Sequence, residues 1–225
     1  MKIDRISSLV SVVSLVVAGM SAFVYFNQPS QHQPPHLSSE QITSFIYKHQ
    51  DTLTKAPNDP VLGNPKGNVT LVEFFDYRCS YCKAIHPSLL QVLEDDGHIR
   101  YVAKEFPILG AVSKLASQAA LASQKQGLYG KYNNALMSAK HLTGTSIFTI
   151  AEHIGIDVAR LKNDMVTYQD EIKATLAANF KLAKALELKG TPAFIAGTIL
   201  VPGMPNVAGL KKLIIRARLQ NHQFD

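Results

Sequence analysis

The stretch FFDYRCSYCK, Phe74 to Lys83, holds both cysteines of a 225-residue chain, with Ser80 and Tyr81 between them. It overlaps the end of VTLVEFF, Val69 to Phe75, a nearly unbroken apolar run. Such a run reads as a strand whose sheet is covered on both faces. Beyond Cys79 a helical spacing carries Ile85, Leu89, Leu90 and Leu93 to about Asp96. Pro87 lies inside that run and is expected to kink or restart the helix, because it brings no N–H. The cysteine pair therefore falls where a strand gives way to a helix.

Several chemistries use a C-x-x-C pair. Structural zinc takes four ligands; beyond Cys79 and Cys82 only His86 is near, with no second histidine beside it. A c-type haem needs histidine directly after the second cysteine, where this chain has Lys83. A bridge across two residues closes almost no loop and so staples little. An inert buried pair stays open as the plain structural reading. In the remaining reading, thiol exchange, the sulfur of Cys79 at a helix start meets unpaired N–H groups and the positive end of the helix dipole. Both favour thiolate over thiol. Cys82, one turn further in, is placed to close the bridge or to resolve a mixed disulfide.

Glu73 interrupts the apolar strand six residues before Cys79. A carboxylate there must be paired, hydrogen-bonded or protonated. It is read either as half of a structural ion pair or as the group that moves a proton at Cys82. Lys104, in the next strand candidate, Ile99 to Lys104, is the expected counter-charge. Gly190-Thr191-Pro192 precedes the strand candidate Pro192 to Ala196. It is either an ordinary strand start or a cis Thr191–Pro192 loop beside Cys79, with backbone groups free for an extended substrate.

An apolar fraction of 46% and a charged fraction of 18% describe a globular protein. The net charge of +6 comes from scattered basic residues, which argues for an ordinary basic surface and against nucleic-acid binding. Lys2 and Arg5 precede 21 uncharged residues, Ile6 to Phe26. That length suits a membrane crossing with the bulk of the chain outside the cytoplasm; a cleaved export signal is the other reading. Residues 1–27 are thus an anchor or signal. Residues 28–55 hold a proline-bearing spacer and then an amphipathic helix whose start reads as a capping box, Ser38 with Gln41. Its stripe of Ile42, Phe45, Ile46 and Leu53 must be buried, on its own domain or on a twin.

Residues 56–109 and 189–221 read as two parts of one α/β domain. Residues 110–188, with helical patterns over Ala111 to Gln124, Leu128 to Ala139, Ser146 to His153, Val158 to Met165 and Tyr168 to Leu188, read as a helical insertion.

FFDYRCSYC, the distant Gly190-Thr191-Pro192 and the helical insertion between them resemble the DsbA-like thiol–disulfide oxidoreductases of the thioredoxin superfamily. The likeness runs from about Pro60 to Leu219. It implies a thioredoxin-like fold with a large helical insertion between the second core strand and the cis-proline strand. It implies Cys79 as nucleophile, Cys82 as resolving cysteine, and a redox disulfide between them. Glu73 falls where the superfamily keeps its buried acid, and Thr191-Pro192 where it keeps the cis-proline loop that binds substrate. Ser80, Tyr81, His86 and Lys104 are expected to modulate the site, and no cofactor or metal is implied. The implied setting is the bacterial periplasm, with a tether to the inner membrane. Reduced or misfolded exported proteins would be clients, and a DsbB-like oxidase or DsbD-like reductase the membrane partner.

Ser80-Tyr81 departs from the Pro-His of the most oxidising members, so weaker acidification of Cys79 is expected. The segment Leu37 to Leu53 leaves a homodimeric isomerase or reductase as an alternative to the oxidase. A non-catalytic exported chaperone is the alternative from another class.

Overall fold

The computed structural model describes residues 36–221. The expected membrane-crossing run Ile6 to Phe26 and the spacer up to Pro35 lie outside the described residues. Among the described residues no helix is long and apolar enough to cross a membrane.

A five-stranded sheet forms the centre, with β1 (Val61–Gly63), β2 (Val69–Phe75), β3 (Ile99–Glu105), β4 (Ala193–Ala196) and β5 (Ile199–Pro202) in the spatial order β1-β3-β2-β4-β5. β2 and β3 run parallel, with Val69 opposite Ile99 and Phe75 opposite Glu105. The other three pairings are antiparallel. β1 is an element the sequence reading did not contain; its three residues sit among Pro60, Gly63 and Pro65, which read as a loop. Gly197, at φ 57, turns the chain between β4 and β5 in a two-residue loop, a backbone region L side chains rarely adopt.

Strand residues alternate between two apolar layers. On one face Leu71, Phe75, Tyr101, Ala103 and Phe194 pack with α3 (Ser80–Asp96), the C-terminal α9 (Val207–Asn221) and the insertion. On the other face Val72, Phe74, Val102 and Ile195 meet α1 (Ser39–Lys48), α2 (Gln50–Thr54) and the end of α8 (Gln169–Ala185). The start of α1 has the expected capping box, Ser38 with Gln41. Of the two fates open to its stripe, the chain's own sheet takes it: Ile46 and Leu53 are fully buried in the second layer.

Between β3 and β4 the chain makes only helices: α4 (Ala111–Ala122), a 3₁₀ turn (Ser123–Gln126), α5 (Tyr129–Ser138), α6 (Gly144–His153), α7 (Val158–Thr167) and α8. This is the expected mixed α/β core with a helical insertion. α8 stops at Ala185, earlier than the Lys189-Gly190 signal suggested, with Glu187 taking a positive φ of 53. α3 runs unbroken through Pro87 to a left-handed Gly97 at its end, so the expected restart does not occur.

Candidate active site

The turn Asp76 to Cys79 joins β2 to α3. Its backbone closes with the Cys79 N–H donating to the Asp76 carbonyl at 3.1 Å. Cys79 is the N-cap of α3, and the Lys83 N–H donates to its carbonyl at 3.1 Å as the helix begins. The two cysteines are unbridged. Cys79 keeps 7% of its surface exposed and Cys82 none. The outer sulfur alone can meet another protein without unwinding the helix.

The surroundings of Cys79 differ in one respect from expectation. Its side chain caps no N–H at the start of α3. The thiol instead donates to the Thr191 carbonyl at 3.1 Å, 112 residues away in sequence. A neutral S–H is a donor, and the Thr191 carbonyl is its acceptor here. Thr191–Pro192 is cis and lies directly before β4. The structure therefore brings Cys79 and the Thr191-Pro192 loop together as the sequence suggested.

Cys82 faces the protein interior and is wholly buried. Burial pushes its thiol well above the ordinary range, and the charge of Glu73 adds to that rise. Glu73 itself is buried, with the Tyr101 hydroxyl donating to Oε2 at 2.6 Å. Burial raises its carboxyl to about 8, against which the Tyr101 bond works only in part. Glu73 and Cys82 thus share an interior in which each resists losing its proton.

The expected partnership of Glu73 with Lys104 does not form. In the parallel register Glu73 stands opposite Ala103 and Lys104 opposite Phe74. Adjacent strand positions point to opposite faces, so Lys104 reaches the second layer. There it pairs with Asp59 and donates to the Thr52 carbonyl. Lys104 is a structural cation of the far face.

The other expected modulators divide. Ser80 and Tyr81 are exposed beside Cys79, Tyr81 to 63%. His86 is buried one turn beyond Cys82, with Nε2 and the Asn134 Oδ1 of α5 3.2 Å apart; burial holds its pKa below the usual histidine range. Among the described residues no three His, Cys, Asp or Glu side chains gather as a metal site needs.

Four residues at the site were not singled out from sequence. Lys83 sends its ammonium to the Leu136 and Met137 carbonyls at 2.8 and 3.1 Å, near the end of α5, and burial lowers its pKa to about 8. Asp76, fully buried, accepts from the Arg78 N–H, the Leu109 N–H and the Ser113 hydroxyl. Tyr77 donates to Glu105, which also accepts from Tyr129 and Ser117. The only sequence signal for these was polar character beside the cysteines, in Asp76-Tyr77-Arg78, and at the end of an apolar strand, in Glu105.

The model of the thioredoxin family matches residues 55–215. A thioredoxin-like oxidoreductase from Silicibacter pomeroyi is 40% identical, with a TM-score of 0.72 over 75% of this chain and 97% of its own. The thiol–disulfide exchange protein alpha-DsbA2 from Wolbachia pipientis is 30% identical, with a TM-score of 0.74 over 79% and 96%. The sodium/proton antiporter NhaA 3 of Salinispora tropica is 25% identical over 162 residues, 71% of this chain. The chain spans only 24% of that antiporter's length. The C-x-x-C pair opening α3 and these matches agree, and the chain belongs to the thioredoxin-fold family of DsbA-like thiol–disulfide oxidoreductases.

Proposed function

We propose that the protein oxidises pairs of thiols in client proteins by exchange through Cys79 and Cys82. One observation carries this reading: the slightly exposed Cys79 sulfur bonds the Thr191 carbonyl of the Thr191-Pro192 loop, while its partner sulfur, Cys82, and Glu73 are fully buried. In the disulfide form, a client thiolate attacks the Cys79 sulfur. The Cys79–Cys82 bond breaks and its electron pair leaves on Cys82. Glu73, with its carboxyl raised to about 8, supplies a proton to that sulfur. A second client thiolate then attacks the client sulfur of the mixed disulfide and releases Cys79. Two electrons pass from client to protein, and the client gains one disulfide. Pro192 has no N–H to offer, while the backbone around the Thr191-Pro192 loop offers an extended client groups to pair with.

The uncharged run after Lys2 and Arg5 supports export, with the domain in an oxidising compartment, the periplasm, and a tether in the inner membrane. A membrane redox partner, a DsbB-like oxidase or a DsbD-like reductase, would restore the pair after each cycle. The dimeric isomerase alternative drew on the stripe of α1 and α2, which is spent on the chain's own sheet.

The test is substitution of each cysteine with a reduced client peptide as substrate. Cys79→Ser is expected to abolish dithiol oxidation; Cys82→Ser, given instead a disulfide-bonded client peptide, is expected to accumulate client adducts on Cys79, one client sulfur leaving as thiolate with no Cys82 to resolve the adduct. Equal loss in both variants with no adduct would overturn the assignment of roles.

A further inference from the structure

The turn before Cys79 is held by more than its own backbone. Asp76 is fully buried and accepts three hydrogen bonds. Its Oδ1 takes the Arg78 N–H and the Ser113 hydroxyl, both at 2.7 Å, and its Oδ2 takes the Leu109 N–H at 2.9 Å. Arg78 returns a bond from its guanidinium to the Leu109 carbonyl at 2.7 Å. Leu109 and Ser113 flank Gly110, the N-cap of α4, which has no side chain with which to cap. Asp76 thus ties the turn to the residue before the Gly110 N-cap and to the Ser113 side chain in the first turn of α4. The Asp76 carbonyl accepts the Cys79 N–H at 3.1 Å.

We propose that Asp76 is a positioning residue for the thiol pair: by locking the turn to the start of α4, its carboxylate keeps its own carbonyl on the Cys79 N–H and so holds the Cys79 sulfur in place for attack. The inference rests on the exchange chemistry proposed above and adds a device to it. When an attacking thiolate reaches the Cys79 sulfur, the bond to Cys82 breaks and negative charge grows on Cys82. A Cys79 sulfur held in line for attack lets that bond open faster. The Asp76 carboxylate is itself an anion, so its bare charge acts in the opposite sense. Position and charge therefore predict opposite signs.

Asp76→Asn retains one carbonyl oxygen for Arg78 and Ser113 but turns an N–H₂ toward the Leu109 N–H, breaking that link. Tyr77, bonded separately to Glu105 and Asn133, helps to hold the turn in the variant. The measurement is the rate at which reduced glutathione opens the disulfide form of the full chain at fixed pH, beside a melting curve. Asp76→Asn is expected to slow opening about tenfold, and Ser113→Ala about threefold. With a reduced client peptide kcat is expected to fall and KM to stay, because the buried Asp76 touches no client.

A faster opening in Asp76→Asn would mean that only the charge matters, and would overturn the proposal. An unchanged rate with a lower melting temperature would reduce Asp76 to a structural role, with the same result. Ser113→Ala, which removes one hydroxyl, carries the test alone where Asp76→Asn does not fold. A wild-type disulfide that glutathione never opens would sink the exchange reading itself, a failure distinct from that of Asp76.

Discussion

Among the described residues Tyr101 is the one hydrogen-bond donor to the Glu73 side chain, and burial raises its carboxyl to about 8. At neutral pH it is mostly protonated, a donor when Cys82 leaves as thiolate. When Cys82 must lose its proton to attack, Glu73 has to be ionised first. The rate at which the reduced pair closes onto an oxidant is therefore expected to rise with pH through an inflection near 8. In Glu73→Gln the inflection should vanish and the rate at pH 8.5 fall about ten- to a hundredfold. Stopped-flow closure of the pair across pH 6 to 9.5 checks this; an inflection surviving in Glu73→Gln would remove Glu73 from the proton path. The placement of Cys79, Cys82 and Glu73 was legible because all three lie within ten residues of a strand-to-helix junction. The Asp76 and Glu105 networks were not, since beside the turn's own Arg78 and Tyr77 their donors come from Leu109, α4 and α5 and depend on how the insertion docks. The Lys104 error had a similar origin. Which face it takes relative to Glu73 depends on the β2–β3 register, which composition does not encode.

Among the elements, the second sheet face is closed by α1 and α2, two short helices that cannot hold themselves in water. Ile46 and Leu53 supply the apolar contact, and Lys104 ties in α2 and the following loop through the Thr52 carbonyl and Asp59. Asp59 and Lys104 are both buried, and burial raises the one and lowers the other, against the attraction between them. Such a pair adds little over apolar packing, yet removing one partner strands a bare charge. Asp59→Ala is expected to cost about 3–5 kcal/mol in urea unfolding. The double variant Asp59→Ala with Lys104→Met should recover most of that loss. A single variant within 1 kcal/mol of wild type would show that the pair is already solvated. The regular elements were read well from sequence: β2 and every insertion helix fall within a few residues of their expected spans, because each buries a stripe with a clear period. β1 was missed because it owes its pairing to β3, with Val61 opposite Val102, and carries no periodicity of its own in three residues.

Across the whole molecule, buried acids tie stability to pH. Burial lifts Glu73 to about 8 and Glu105 to about 7, both from 4.5, with three hydroxyl donors only partly opposing the rise at Glu105. A raised acid keeps its proton in the folded state at pH values where the unfolded chain has released it. The folded state then binds more protons, and stability falls as pH rises from about 4.5 through the folded value. Each group accounts for about 1.4 kcal/mol per pH unit within its window. His86, held low by burial, acts in the reverse sense around the ordinary histidine range. Comparison with single variants therefore isolates the acids better than the wild-type curve alone. Unfolding in urea from pH 5.5 to 8.5 should show Glu73→Gln and Glu105→Gln gaining on the wild type as pH rises, Glu105→Gln levelling near 7 and Glu73→Gln only near 8. Glu105 joins β3 to α4 and α5 through Ser117 and Tyr129, so its ionisation should loosen the sheet–insertion contact, seen as faster amide exchange in α4 and α5. Curves for both variants that run parallel to wild type over this range would mean that the two carboxyls are already ionised in the folded protein, and that the interior facing Cys82 is far better hydrated than its burial implies.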